Sequence, residues 1–318
     1  MRGLLSIFLL GWWSLAGAGE VGFLFTGQGI TNGTRLALPV FSYAPVTTTI
    51  TWTDNNGAGQ TGNLSAFNAT ADIASVSAVL FAGTPYPWSP VAISSVSNLR
   101  RLPSLSQFQC YNSSLSNINL SGCGNLSYAD ISANLGITSV DASGLSALAI
   151  LHVENCSLTN LLVGGCSNLG YLKCSSNPGL SALGLTGMTA LTNLVCIGDS
   201  LHTLDCRGCP ALYYLDCPGN GMTALNIAGC SQLTKLYPNN NSLTNLDFSG
   251  STLINELEVQ GNNLPVSVVN SLLVQLDTNG VHGIYAYTSS QTPAAPPSGA
   301  GLTAKTNLIS KGWGVTTD

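Results

Sequence analysis

The chain has 318 residues, with 14 Asp and Glu against 9 Lys and Arg, for a formal net charge of −5. That balance excludes a nucleic-acid partner, which needs a basic face, and no run of like charges marks a polyelectrolyte ligand. Hydrophobic residues make up 45% of the chain, too many for intrinsic disorder, and 35 glycines suit β structure with many turns.

Residues 1–19 read MRGLLSIFLLGWWSLAGAG. Arg2 supplies a positive start, Leu4 to Leu15 is apolar, and Ala16-Gly17-Ala18 is a small-residue cleavage site, the pattern of a secretory signal peptide. The alternative is a retained apolar anchor in which Trp12 and Trp13 plug into a partner subunit. Either way the run is too short for a membrane span.

Residues 20–97 hold short β-branched or aromatic runs at Val21–Phe25, Arg35–Phe41, Thr47–Trp52, Ser77–Phe81 and Val91–Ser94. Turn clusters such as Asp54-Asn55-Asn56-Gly57 separate them, which predicts a small β-sandwich-like domain. The stretch TTTITWTDNNGAG weakly resembles the strand and turn of PKD-like domains, with Trp52-Thr53-Asp54-Asn55 in place of their W-G-D-G. Such a domain would cap whatever follows it.

Residues 98–264 repeat the frame L-x-x-L-x-C-x-x-N-x-L-x-x-L-x-L-x-G-C. Its second leucine falls at Phe108, Ala129, Leu151, Leu172, Leu194, Leu215, Leu236 and Leu257, eight copies at steps of 21 or 22 residues. That period is the signature of a leucine-rich-repeat solenoid, in which each copy is one coil that buries its apolar edge only against its neighbours. Each coil offers two short extended pieces joined by Asn- and Gly-containing turns. Side chains alternate along such pieces, so Leu and Cys point inward, and stacking predicts two parallel sheets.

Residues 265–318 leave the pattern. Val268, Val269, Leu272, Leu273 and Leu276 fall at helical spacing between Pro265 and Thr278, and Asn279-Gly280 ends the helix. Gly283–Ser289 reads as a strand, Leu302–Lys311 as a helix and Trp313–Thr317 as a last strand, together an α/β C-terminal cap. The predicted class is mainly β: a β-sandwich domain, an eight-coil solenoid and this cap.

The repeat LYYLDCPGNGMTALNIAGC and the ending QTPAAPPSGAGLTAKTNLISKGWGVTTD together resemble a group of leucine-rich-repeat proteins from bacteria and their phages, over roughly residues 99–318. The resemblance implies display on a surface or a virion and binding without catalysis.

The ten cysteines fall mainly on two columns of the frame, where other copies carry Ile131, Val153, Leu145 or Met188. Exchange with hydrophobes marks them as buried free thiols rather than disulfides. Cys206-x-x-Cys209 with His202 has the spacing of a zinc half-site, but one leg points inward, the other lies at a turn and no second pair at ligand spacing exists, so no metal and no cofactor are implied. The three histidines are scattered, no nucleophile-base pattern is visible, and the Gly-rich turns carry no phosphate-binding fingerprint, which argues against an enzyme.

The outward positions of the second pieces are small and bland. Those of the first pieces place Tyr128, His152, Tyr171, Lys173, Tyr214, Asp216 and Tyr237 on one surface, the candidate binding face. Tyrosine gives contact area with a polar handle and is enriched at interfaces. The expected partner is a protein or glycan on a cell surface, with the chain extracellular. The alternative is a decoration or fibre protein of a phage virion, held to other virion subunits through residues 1–19. Solenoid ends and residues 1–19 also leave room for a homo-oligomer.

Overall fold

The computed structural model describes residues 105–111 and 115–318, together with the backbone of seven short strands between Phe23 and Ser97. The expected leader or anchor, with Trp12 and Trp13, lies outside the described residues, as does the side-chain packing on which the sandwich expectation for 20–97 turns.

The seven early strands are β1 (Phe23–Leu24), β2 (Thr34–Pro39), β3 (Thr49–Thr53), β4 (Gly59–Asn63), β5 (Phe67–Asn68), β6 (Val76–Ala82) and β7 (Val96–Ser97). β3 and β4 pair antiparallel with β1 alongside, and β5 pairs with β7. β2 and β6 do something else. β6 runs parallel to β8 (Gln107–Tyr111), with Phe81 opposite Cys110, and β2 runs parallel to β6. The main sheet of the solenoid therefore continues into the N-terminal segment and covers the first coil.

From β8 onward the first piece of every coil is a strand of one continuous sheet. These strands are β9 (Tyr128–Asp130), β11 (Ile150–His152), β13 (Tyr171–Lys173), β14 (Asn193–Val195), β16 (Tyr214–Asp216), β18 (Lys235–Tyr237) and β19 (Glu256–Glu258). Each pairs in parallel with the next in an unbroken register, Leu172 to Leu194 to Leu215 to Leu236. The central residue of each strand is buried, as a two-residue alternation with one face on the core requires.

The second pieces do less than expected. β10 (Ser139–Asp141) pairs with β12 (Asn160–Leu162), and β15 (Thr203–Asp205) pairs with β17 (Ala224–Asn226), but no second sheet runs the length of the described solenoid. Breaks fall at Ala182-Leu183-Gly184, between the two pairs, and at Asn245-Leu246-Asp247, after β17. At the first, Gly184, a poor strand former, stands where the pairing pieces carry Asp141, Leu162, Asp205 or Asn226.

The turn after each main-sheet strand carries the feature that joins the coils. Asn134, Asn177, Asn220, Asn241 and Asn262 are buried at the same place in their coils. Asn177 Nδ2 donates to the carbonyl of Val153 in the preceding coil (2.9 Å) and to that of Cys174 in its own, and its Oδ1 accepts from Leu158 N. Asn134, Asn220, Asn241 and Asn262 repeat this pattern. The residue before the rung has φ between 51° and 69° in every coil from Ala133 to Ser290, which aims the following side chain inward. In the copy from Leu151 the rung is Cys156, whose thiol donates to Ile131 O at 3.5 Å.

All ten cysteines are buried and none is bridged. Burial pushes the thiols of Cys123, Cys156 and Cys230 up to about 11 and that of Cys209 up to about 12, so they stay neutral. Several act as weak donors across coils, Cys166 to Ala142 O at 3.0 Å and Cys230 to Cys206 O at 3.2 Å.

The cap opens with α1 (Val266–Asn279), which buries Val269, Leu272, Leu273 and Leu276 on the end of the core and stops at Gly280 with φ 67°. α2 (Gly299–Ser310) begins three residues earlier than the sequence suggests and packs on α1. The strands of the cap, β20 (Tyr285–Tyr287) and β21 (Gly314–Thr316), continue the main sheet: Ala286 pairs with Leu257 and Val315 with Ala286. The sheet is thus twelve strands long.

Candidate functional site

The main sheet presents two outward columns, one on each side of its buried central residues. One runs Tyr128, Ile150, Tyr171, Asn193, Tyr214, Lys235, Glu256, Tyr285. The other runs Asp130, His152, Lys173, Val195, Asp216, Tyr237, Glu258, Tyr287. Parallel pairing fixes both columns, because each side chain stands above its neighbour one strand away, about 5 Å off.

All seven candidate residues lie on this face, but they form two groups. In the first, the His152 ring meets Tyr128 edge-on at 5.8 Å and Tyr171 at 5.3 Å between centroids. Lys173 Nζ sits 5.7 Å from the Tyr171 ring centre and 3.9 Å from Glu154. His152 Nδ1 lies 3.9 Å from Asp130, while its Nε2 is buried without a hydrogen-bond partner. Burial pushes the Asp130 carboxyl up, but hydrogen bonds from His152 and Ser132 outweigh it and hold the group below the usual carboxylate range.

In the second group, Tyr214 and Tyr237 meet edge-on at 5.5 Å, and Tyr214 donates its hydroxyl to Asp216 at 2.9 Å. Burial and the negative charge of Glu258 push Asp216 up despite that hydrogen bond. Burial and hydrogen bonding to Glu256 raise Tyr237 as well, so it stays a neutral donor.

The sequence reading missed the rest of this group. Glu256 gathers Lys235 at 2.7 Å, the hydroxyl of Tyr237, and that of Tyr285 at 3.1 Å. Although partial burial pushes Glu256 up, these three donors hold it below the usual range. Tyr285 and Tyr287 stack with centroids 4.6 Å apart. The signal for them was present in Tyr285-Ala286-Tyr287, an outward-inward-outward triplet followed by Gln291 at the rung position. It was hidden because α1 stretches the step from Leu257 to Ala286 to 29 residues. Asn193 and Val195 of β14, neither aromatic nor charged, separate the two groups.

The other face is built differently. Asn119, Asp141, Asp205, Asn226 and Asp247 each accept the backbone N–H two residues ahead, at 2.8–3.1 Å. These outward side chains close turns. Cys206 and Cys209 are both buried, while His202 is exposed with Nδ1 at Ser200 O. Among the described residues no three His, Cys, Asp or Glu come together in a way that could hold a metal ion. No helix among them is long and apolar enough to cross a membrane.

No family model matches the chain, and no curated protein matches it. Solved structures do. The Toll–Spätzle complex of Drosophila aligns at 16% identity and a TM-score of 0.52, over 71% of this chain and 31% of that one. The functional domain of InlJ from Listeria monocytogenes, which includes a cysteine ladder, aligns at 16% identity and 0.35, over 68% and 59%. An internalin (InlF) from the same organism aligns at 13% and 0.43, over 80% and 81%. The chain thus spans less than two thirds of the InlJ domain and a third of the Toll chain. At 16% identity the likeness to the Toll chain speaks of fold alone. With the repeats and the register of the main sheet, it establishes a mainly β leucine-rich-repeat solenoid.

Proposed function

We propose that this chain is a non-enzymatic recognition protein, displayed outside the cell, that binds a protein or a glycan through the outward face of its main sheet. The observation that carries the reading is the paired run of tyrosines and charges on consecutive strands. Rings held edge-on by their neighbours, with hydroxyls already hydrogen-bonded, lose little freedom on binding. Tyrosine then offers broad apolar contact with a polar tip. The ion pairs on this face neutralise one another without a convergent acid, base and nucleophile. Toll, which shares the fold, is seen in complex with Spätzle, and a recognition role here is in keeping with that.

The test is binding of the full chain to arrays of immobilised glycans and peptides. The expected result is a ligand whose affinity falls at least tenfold in Tyr171→Ala or Tyr237→Ala and is unchanged in Thr203→Ala on the other face. Equal loss in all three, or none in the first two, sinks the reading. The extracellular assignment carries its own check. Protein from the native source is expected to begin at Gly19 on N-terminal sequencing, and a retained Met1 or Arg2 contradicts it.

A further inference from the structure

One rung of the interior hydrogen-bond ladder is an acid. Asp199 stands where the other coils carry Asn134, Asn177, Asn220, Asn241, Asn262, the Gln291 amide or the Cys156 thiol, and it is almost fully buried. Its Oδ1 accepts the backbone N–H of Asn177 at 2.7 Å, just as Asn241 Oδ1 accepts that of Asn220. Its Oδ2 is buried and has no partner. In the amide rungs this second position is a donor. Asn220 Nδ2 gives one hydrogen bond to Cys196 O in the coil before and one to Cys217 O in its own. The corresponding carbonyls for Asp199 are Cys174 O and Cys196 O. At the position the amide rungs give to their donor, a carboxylate oxygen would face carbonyl acceptors. A carboxylic acid supplies the missing donor.

We propose that Asp199 is a proton-controlled rung: neutral, it donates its O–H to the Cys174 or Cys196 carbonyl and locks the coil of Leu172 to the coil of Leu194; ionised, it opens that joint.

Burial raises the carboxyl to about 7, even though the Asn177 amide pulls the other way. The ionisable groups that sense its charge are the thiols of Cys174 and Cys196, stacked on it from the preceding coil and its own. Burial holds Cys174 far above the normal thiol range, and a hydrogen bond with Cys217 together with burial does the same for Cys196. Both stay neutral through the pH range of interest and cannot offset the charge. The joint has a consequence for the face above it. β14 belongs to the same coil as Asp199 and separates the two aromatic groups. Loosening at this point changes how rigidly one group is held relative to the other.

The sign follows from linkage. A carboxyl whose folded-state pKa is raised contributes stability that is complete below about 4, is lost as pH rises, and is gone above about 7. Two measurements on the full chain test this. The first is the carboxyl carbon-13 resonance of Asp199 in the unaltered protein. A midpoint near 7 is expected, and a midpoint near 4 overturns the proposal. The second is chemical denaturation of the native chain and Asp199→Asn from pH 4 to 9. Asparagine is the normal rung, so the variant is expected to fold. The ratio of unfolding constants, native over variant, is expected to climb by up to about tenfold per pH unit between 4 and 7 and then level off. A ratio that does not change with pH overturns the proposal.

Discussion

A buried asparagine in this solenoid replaces secondary structure where the chain turns. Asn241 accepts the amides of Asn220 and Met222 and donates to the carbonyls of Cys217 and Pro238, all buried. Removing it orphans two buried donors, each costing about 1–3 kcal/mol when left unmade in the interior, and leaves the Cys217 and Pro238 carbonyls with only the Asn220 and Asn262 amides. Asn241→Ala is therefore expected to lower stability by ~3 kcal/mol or more in urea denaturation, several times the cost of an exposed Asn117→Ala. A loss under ~1 kcal/mol would mean that water reaches these groups. The frame showed the asparagine as a recurrent turn residue, but not its bonds. Turn propensity explains an exposed Asn equally well, and only burial separates the two. Asp199 was illegible for the same reason: in the sequence it is one more polar turn residue.

At the level of elements, the main sheet and the helices were readable because their periods are strict. Leucine every 21 or 22 residues placed the strand centres of the solenoid correctly. The apolar stripe Val269, Leu272, Leu273, Leu276 placed α1 to within a residue. The second pieces do pair in parallel, β10 with β12 and β15 with β17, but where pairing lapses was not legible, since the alternation L-x-L recurs in the second pieces whether or not the backbones pair. The strands of the cap were seen but not their membership in the main sheet, because α1 breaks the period. How α1 meets α2 was also invisible. At Gly301 a Cβ would lie 2.8 Å from Asn270 Cα and would overlap the Asn270 amide, which bonds Ser298 at the start of α2. Alanine usually improves a helix interior by about 1 kcal/mol over glycine. Here the overlap includes the Asn270 backbone as well as its hydrogen-bonded amide, and it is expected to win. Gly301→Ala should destabilise the cap by ~2 kcal/mol and lower the melting temperature by several degrees. An unchanged or raised melting temperature would show that the helices can part cheaply.

The whole molecule is a stiff array whose useful surface is set by one register. Its seven expected face residues do share the sheet, and the surface continues through Glu256, Tyr285 and Tyr287 into the cap. Because coils touch only their neighbours, that surface is as regular as the joints beneath it. Ligand is expected to lie on this face, and photo-crosslinking locates it. A benzophenone amino acid would be placed in turn at Tyr171, Tyr237, Thr203 and Ala224, and each protein irradiated with a ligand found on the arrays. Crosslinks from positions 171 and 237, with none from 203 and 224, are the predicted result. Crosslinks confined to 203 and 224 would place recognition on the opposite face and rule out the tyrosine-lined sheet as the binding surface.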